Sequence, residues 1–273
     1  MKKILYRFYK NYQHKTRDKL HWNKRIALVT ESPDNAKINH VENAGKVEGK
    51  FQIMHNGQRI HIGSYYGKPI AAMLKKNKGV HEPQEEYAFQ EIISALPEKP
   101  VMIELGAYWG FYSMWLKQVK PNAKVFLAEP ELENLQMGIN NFIANNLIGA
   151  FIHAATGTKT EEMKDNTPVF SVDDIIKNYQ IQFVDILHSD IQGYEFNMLQ
   201  GAVNAITSHS IGYIFVSTHS ALLHKQCIDF LQQHQYNIVC DADMDATYSY
   251  DGLIVAKSFK YNGIQKLDIS KRK

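Results

Sequence analysis

From Pro100 onward short apolar runs alternate with amphipathic helical stretches, and no other feature narrows the possible folds as far. Runs at Val101–Leu105, Lys124–Ala128, Ala150–Ala154, Phe183–His188, Ile211–Ser217, Tyr236–Cys240 and Leu253–Ala256 read as strands. Helical patterns between them predict an α/β fold, a parallel sheet wound on both faces. The last two runs are joined by the polar stretch Asp241–Asp251, which has no helical periodicity, so an antiparallel hairpin is expected at the sheet edge. Ligands of such sheets bind beyond the carboxyl ends of the strands.

The first strand runs into V-M-I-E-L-G-A-Y-W-G at 101–110, a strand, tight turn and helix start. Gly106 and Gly110 let backbone N–H groups approach a ligand, and Glu104 is expected to add a carboxylate to the same crevice. The G-x-G-x-x-G spacing that seats a pyrophosphate is absent, and a carboxylate would repel one. It suits a cation such as the ammonium of a methionine moiety. The plainer reading is a turn that binds nothing. The second strand ends at Glu129-Pro130, where a carboxylate can accept both hydroxyls of an adenosine ribose or simply favour the next helix start.

The fourth strand runs into Ser189-Asp190-Ile191-Gln192-Gly193-Tyr194-Glu195, and the fifth ends at Thr218-His219. Neighbouring strands bring Asp190 and His219 to one crevice. A histidine held by a carboxylate can serve as general base for a hydroxyl, with Asp190 as its orienter or as the acceptor's anchor. The pair could instead contribute to a divalent metal site, but two ligands are not a coordination sphere. Asp190 as an N-cap and Glu195 as first-turn electrostatics are the plainer readings.

Residues 1–78 follow a different pattern. Phe51, Ile53, Ile60 and Ile62 alternate with polar residues around Asn56-Gly57, a hairpin signal, so 1–78 reads as an accessory α+β extension and 79–273 as the main domain. A helix is expected from Glu85 to Leu96, before Pro97. Met1–Arg25 is rich in Lys and Arg interleaved with Leu5, Tyr6, Phe8 and Tyr9. It reads as a solvated leading helix, with weak peripheral contact to anionic lipid or an acidic glycan as the alternative. No long apolar segment follows Lys2 and Lys3, which argues against a secretory signal or membrane span. A net charge of +3 is too mild for a nucleic-acid face, and two cysteines make no disulfide framework. A cytoplasmic protein is expected.

Several blocks together resemble, in order, the FkbM-type S-adenosylmethionine-dependent methyltransferases. They are E-L-G-A-Y-W-G-F-Y-S, A-E-P-E-L-E-N with Asn141 and Asn145-Asn146-Leu147, A-A-T-G at 154–157, S-V-D-D-I-I at 171–176, and S-D-I-Q-G-Y-E with L-Q-G-A. The resemblance covers about His81 to Ser258 and leaves the extension outside. It implies the Rossmann-like class I methyltransferase fold, a doubly wound seven-stranded sheet in the order 3-2-1-4-5-7-6 with its seventh strand antiparallel. It implies S-adenosylmethionine as cofactor, with Glu104, Gly106, Ala107, Tyr108 and Gly110 at its methionine end and Glu129 with Pro130 at its ribose. It also implies O-methylation of a saccharide or related small molecule, with no nucleic acid. Where the family commonly has Asp-Val-Glu-Gly this chain has Asp190-Ile191-Gln192-Gly193, which removes any role needing a carboxylate at 192. Tyr108 and Trp109 replace smaller residues, so a crowded cofactor pocket is expected. The glycine loop is also similar to that of magnesium-dependent catechol-type enzymes, but Thr218-His219 stands where their Asp-Asn pair would, so no metal is expected. The rival readings are a nucleic-acid methyltransferase using the basic N-terminus and a cofactor-binding scaffold without catalysis.

Overall fold

A computed structural model describes residues 22–65, 67–162 and 167–272. The basic stretch before Trp22, and with it the leading helix and the lipid contact expected there, lies outside the described residues.

Residues 22–31 are helical (α1), followed by a 3-10 turn at Pro33–Ala36. Strands β1 (Val47–Glu48), β2 (Phe51–Ile53) and β3 (Arg59–His61) form a small antiparallel sheet, with the Asn56-Gly57 turn between β2 and β3 as its spacing predicts. Helices α2 (Lys68–Lys76) and α3 (Pro83–Ser94) lead into the main sheet. Pro83 starts α3 and Glu85 and Glu86 occupy its first turn, favourable at a helix N-terminus. Then come β4 (Val101–Leu105), α4 (Phe111–Val119), β5 (Lys124–Glu129), α5 (Leu132–Ala144) and β6 (Ala150–His153). Strands β7 (Ala155–Thr156), β8 (Glu161–Glu162) and β9 (Pro168–Phe170) make a second small sheet, too short to be signalled in the sequence. The chain continues through α6 (Val172–Asn178), β10 (Val184–Ser189), α7 (Glu195–Gly201), α8 (Val203–Thr207), β11 (Ile211–Thr218), α9 (Ala221–Gln233), β12 (Tyr236–Ala242) and β13 (Gly252–Ser258).

The main sheet has seven strands in the order β12-β13-β11-β10-β4-β5-β6. Numbering these alone by chain order gives 3-2-1-4-5-7-6 from the opposite edge. Strand β13 runs antiparallel to both β11 and β12, and the other pairings are parallel. Every residue of β10, β11 and β13 is buried, because helices or the extension cover both faces. One apolar cluster fills the face under α3 and α4 and takes in Val29, Met54, Ile60, Ile70, Met73 and Leu74, so the extension and the sheet share a core. A second cluster, including Val172, Ile175, Met198 and Leu231, fills the other face.

The chain order reverses between β4 and β10. There the two strands diverge in connectivity, and the crevice at their carboxyl ends is the natural ligand position.

Candidate active site

The loop after β4 is shaped by three residues in the left-handed region, Gly106 (φ 69°), Tyr108 (φ 44°) and Gly110 (φ 74°). Glycine is required at 106, because a Cβ there would lie 1.9 Å from the carbonyl oxygen of Asp190. Asp190 N–H donates to the Leu105 carbonyl at 3.0 Å, so the β4 and β10 loops are locked edge to edge. The Gly106 and Ala107 N–H groups both donate to the Ala128 carbonyl, at 2.9 and 3.0 Å, tying the loop to the tip of β5.

Glu129 ends β5 beside this loop. Its carboxylate accepts Tyr108 N–H at 3.1 Å, Glu131 N–H at 3.0 Å and the Asn134 amide at 3.5 Å. Burial raises its pKa against the pull of these donors. A carboxylate offers about four lone-pair positions, so capacity remains for a sugar hydroxyl. Pro130 follows, its carbonyl 2.9 Å from His153 Nε2. A close-approach glycine turn joined to an acidic strand tip fits the methionine and ribose ends of S-adenosylmethionine.

Two residues expected at the cofactor are buried. Glu104 is 3% exposed and accepts the Ser113 N–H at 2.9 Å, serving the unsatisfied first turn of α4. Burial raises its pKa, against the opposing charge of His188 on the adjoining strand. Trp109, expected to crowd the cofactor pocket, packs against the extension. It is buried between Tyr65, stacked at 4.2 Å and 7°, and Phe111, at 5.2 Å and 16°, and so fastens the extension to the loop.

Asp190 and His219 do meet. His219 Nε2 lies 3.3 Å from Asp190 Oδ1 and 3.3 Å from Asp251 Oδ1, and Nδ1 lies 2.8 Å from Glu195 Oε1. Burial works against a charged ring, but the Asp190 and Glu195 carboxylates that face its N–H groups and the charge of Asp251 outweigh it, raising the pKa to about 10. His219 Nδ1 meets Glu195 at hydrogen-bond distance, while Nε2 lies between the Asp190 and Asp251 carboxylates with no hydrogen-bond partner among the described residues, a setting that favours the protonated ring. Glu195 is fully buried, and its other acceptor contact is the Gly193 N–H at 3.0 Å. It fixes the ring rather than merely favouring a helix start.

Sequence reasoning missed Asp251. Burial, then the like charge of Asp190, pushes its pKa up to about 6. A signal existed: the residue before an antiparallel strand arrives at the same sheet end as the tips of the parallel ones, and Gly252 pairs with Thr218. Glu82 was missed as well. It contacts Tyr112 Oη at 3.1 Å, His81 Nε2 at 3.3 Å and Arg25 at 3.6 Å, and its pKa is raised by burial and by the neighbouring Glu85 and Asp190 charges against the opposing pull of His81. Beneath it, Glu85 bridges the strands, accepting from His188 Nε2 at 2.6 Å and from the Ser217 hydroxyl at 3.0 Å. Among the described residues no group of three or more His, Cys, Asp or Glu side chains is disposed to hold a metal ion, and no helix is long and apolar enough to cross a membrane.

A seven-stranded doubly wound sheet of this order, with a glycine turn on its first strand and a carboxylate at the tip of its second, defines a class I methyltransferase. The Methyltransferase FkbM domain matches residues 10–238, and the chain belongs to that family. It is an S-adenosylmethionine-dependent methyltransferase. The match begins at residue 10, so it takes in most of the extension that the motifs alone left outside. No curated protein matches. Solved structures of similar fold include TrmK of M. capricolum in complex with S-adenosyl-homocysteine, at 13% identity over 65% of this chain and 70% of that one, TM-score 0.46. A putative rRNA-methylase from Clostridium thermocellum matches at 13% identity over 66% and 97%, TM-score 0.49. Precorrin-6y C5,15-methyltransferase from Geobacter metallireducens matches at 15% identity over 64% and 88%, TM-score 0.41.

Proposed function

We propose that the chain is an O-methyltransferase acting on a hydroxyl of a saccharide or related small molecule. The observation that carries this reading is the grouping of Asp190, Asp251 and the protonated His219 beside the glycine loop. Carboxylates accept hydroxyl hydrogens, and several of them around one crevice disfavour a phosphate backbone.

Glu129 holds the ribose, with Pro130 beside it, and the turn from Gly106 through Ala107, Tyr108 and Gly110 follows the methionine end, supported from beneath by Glu104. When bound, S-adenosylmethionine supplies a methyl group on a sulfonium, open to in-line displacement. The protein's own tasks are then to orient the acceptor hydroxyl, exclude water and take a proton. Asp251 takes that proton, its raised pKa bringing it closer to neutral than an ordinary carboxylate. Asp190, the most exposed of the group at 31% of its side chain, anchors the acceptor at the mouth. The His219 imidazolium, held by Glu195, keeps both carboxylates in place.

The test is incubation with methyl-labelled S-adenosylmethionine and fractionated cell-envelope glycans. Label is expected in a glycan fraction, and Asp251→Asn is expected to lower turnover about a hundredfold while cofactor affinity stays within a few-fold. Label in RNA instead, with binding that weakens steeply with salt, would move the reading to nucleic acid. Retained cofactor binding with no transfer to any fraction would leave a scaffold.

A further inference from the structure

We propose that the extension forms the inner wall of the acceptor pocket, and that Arg25, clamped between Trp22 and Tyr250, is a positioning residue that aligns Glu82 and Asp251 around the acceptor hydroxyl. Side-chain exposure falls from 31% at Asp190 to 19% at Asp251 and 18% at His219, then to 10% at Glu82 and 9% at Arg25. The charged group thus passes from a partly open carboxylate at Asp190 to a nearly enclosed guanidinium at Arg25.

The guanidinium sits 5.5 Å from the ring centroids of both Trp22 and Tyr250 and 3.6 Å from Glu82 Oε1. Trp22 and Arg25 belong to α1, whereas Tyr250 directly precedes Asp251 on the loop entering β13. One cation thus joins the extension to the loop that carries the proposed proton acceptor. Two aromatic rings within reach of one guanidinium favour a planar, delocalised cation, which a point-charge ammonium would not match.

Asp251 faces Asp190, His219, Arg25 and Glu85, and Glu82 faces His81, Glu85, Asp190, Arg25 and Tyr112. Arg25 favours the charged form of both carboxylates, against burial and their acidic neighbours. Without it, these carboxylates would hold protons at higher pH and draw apart or share one. The recess then suits an uncharged, hydroxyl-rich acceptor, whose hydroxyls can donate to Asp190, Asp251 and Glu82 and accept from Arg25. The acceptor's identity rests on the O-methyltransferase reading; the placement of Arg25 does not.

The experiment compares Arg25→Gln and Arg25→Lys by carboxyl-carbon NMR titration of the full chain, with Asp251→Asn identifying the Asp251 signal. In Arg25→Gln the Asp251 midpoint should rise by about one pH unit, and in Arg25→Lys, which keeps the charge but not the planar fit, it should rise by less. With a labelled cell-envelope glycan fraction, Arg25→Gln should raise the acceptor KM about tenfold and carry the acid limb of the rate profile upward. S-adenosyl-homocysteine affinity by calorimetry should remain within about twofold, because Arg25 is placed at the acceptor recess. Should Arg25→Gln not fold, Tyr250→Leu removes one face of the clamp and should move the midpoint in the same direction. An unshifted Asp251 midpoint, or loss of homocysteine-product affinity in step with turnover, would overturn the proposal. If wild-type protein methylates no glycan fraction, the acceptor reading fails while the titration still decides the role of Arg25.

Discussion

An imidazole set among three carboxylates favours its charged form, and the sign of that effect sets how His219 responds to pH. Its folded pKa, about 10, exceeds the ordinary 6.5, so its stabilising contribution is complete below about 6.5 and is lost as pH rises through 10. His219→Gln leaves Asp190, Asp251 and Glu195 facing one another. It should cost about 3 kcal/mol at pH 6, as for breaking a buried pair, and much less at pH 11, read as the difference in urea unfolding. Activity should follow a bell. It rises as Asp251 ionises near pH 6 and falls as His219 deprotonates near 10, measured as kcat/KM across pH. Gly106 carries a different constraint. Gly106→Ala places a methyl against the Asp190 carbonyl and holds alanine in the left-handed region. About 1–2 kcal/mol from the backbone alone, plus displacement of the β10 loop, should weaken S-adenosyl-homocysteine binding in calorimetry.

At the level of elements, the outer edge of β3 shows how the extension is held. Its exposed ladder is satisfied by helix side chains: Asn141 Oδ1 accepts His61 N–H at 2.9 Å and Asn145 Oδ1 accepts Arg59 N–H at 2.9 Å. Asn141 Nδ2 also donates to Ser64 Oγ and the Trp109 carbonyl, at 3.2 and 3.1 Å. Asn141→Leu should therefore cost about 2–3 kcal/mol by stranding buried backbone groups, while exposed Asn140→Ala stays within about 0.5 kcal/mol, both read from urea midpoints. These asparagines were visible in the sequence as part of a family block, but their task was not, because period and composition do not say which strand edge a helix will meet. The main strands were legible because they are buried on both faces and so are nearly continuous apolar runs. Asp190 and His219 were legible as neighbours because parallel strands end together. Asp251, Glu82 and Arg25 were not, since each reaches the crevice from a segment with no periodicity of its own or from outside the parallel sheet. The protonation of His219 was hidden because all three carboxylates around it, Asp190, Glu195 and Asp251, stand far from it in sequence.

Across the whole molecule, the chain after β13 returns to the far side of the crevice and fastens three distant parts. Leu267 N–H donates to the Val239 carbonyl at 2.9 Å, and Arg272 N–H donates to the Ala246 carbonyl at 2.8 Å. Ser270 donates its N–H and hydroxyl to the buried Asp34 carboxylate, at 2.8 and 3.0 Å. Gln84 of α3 donates to the Ser270 carbonyl and accepts Tyr248 N–H at 2.7 Å and the Thr247 hydroxyl at 3.1 Å. The loop leading to Tyr250 and Asp251 is thereby held by residues from the extension, from α3 and from the tail at once. Asp34→Ala removes the acceptor of both Ser270 bonds and of Lys37, and should cost about 2–4 kcal/mol. Its effect should be local before it is global. Amides of Ala246, Thr247 and Ser249 should exchange with solvent faster, while those of β4 and β10 keep their protection, because the central strands depend on the apolar clusters rather than on this tie. Uniformly faster exchange would show instead that Asp34 supports the common core, and an unchanged loop would show that Gln84 and Arg272 hold it without Asp34.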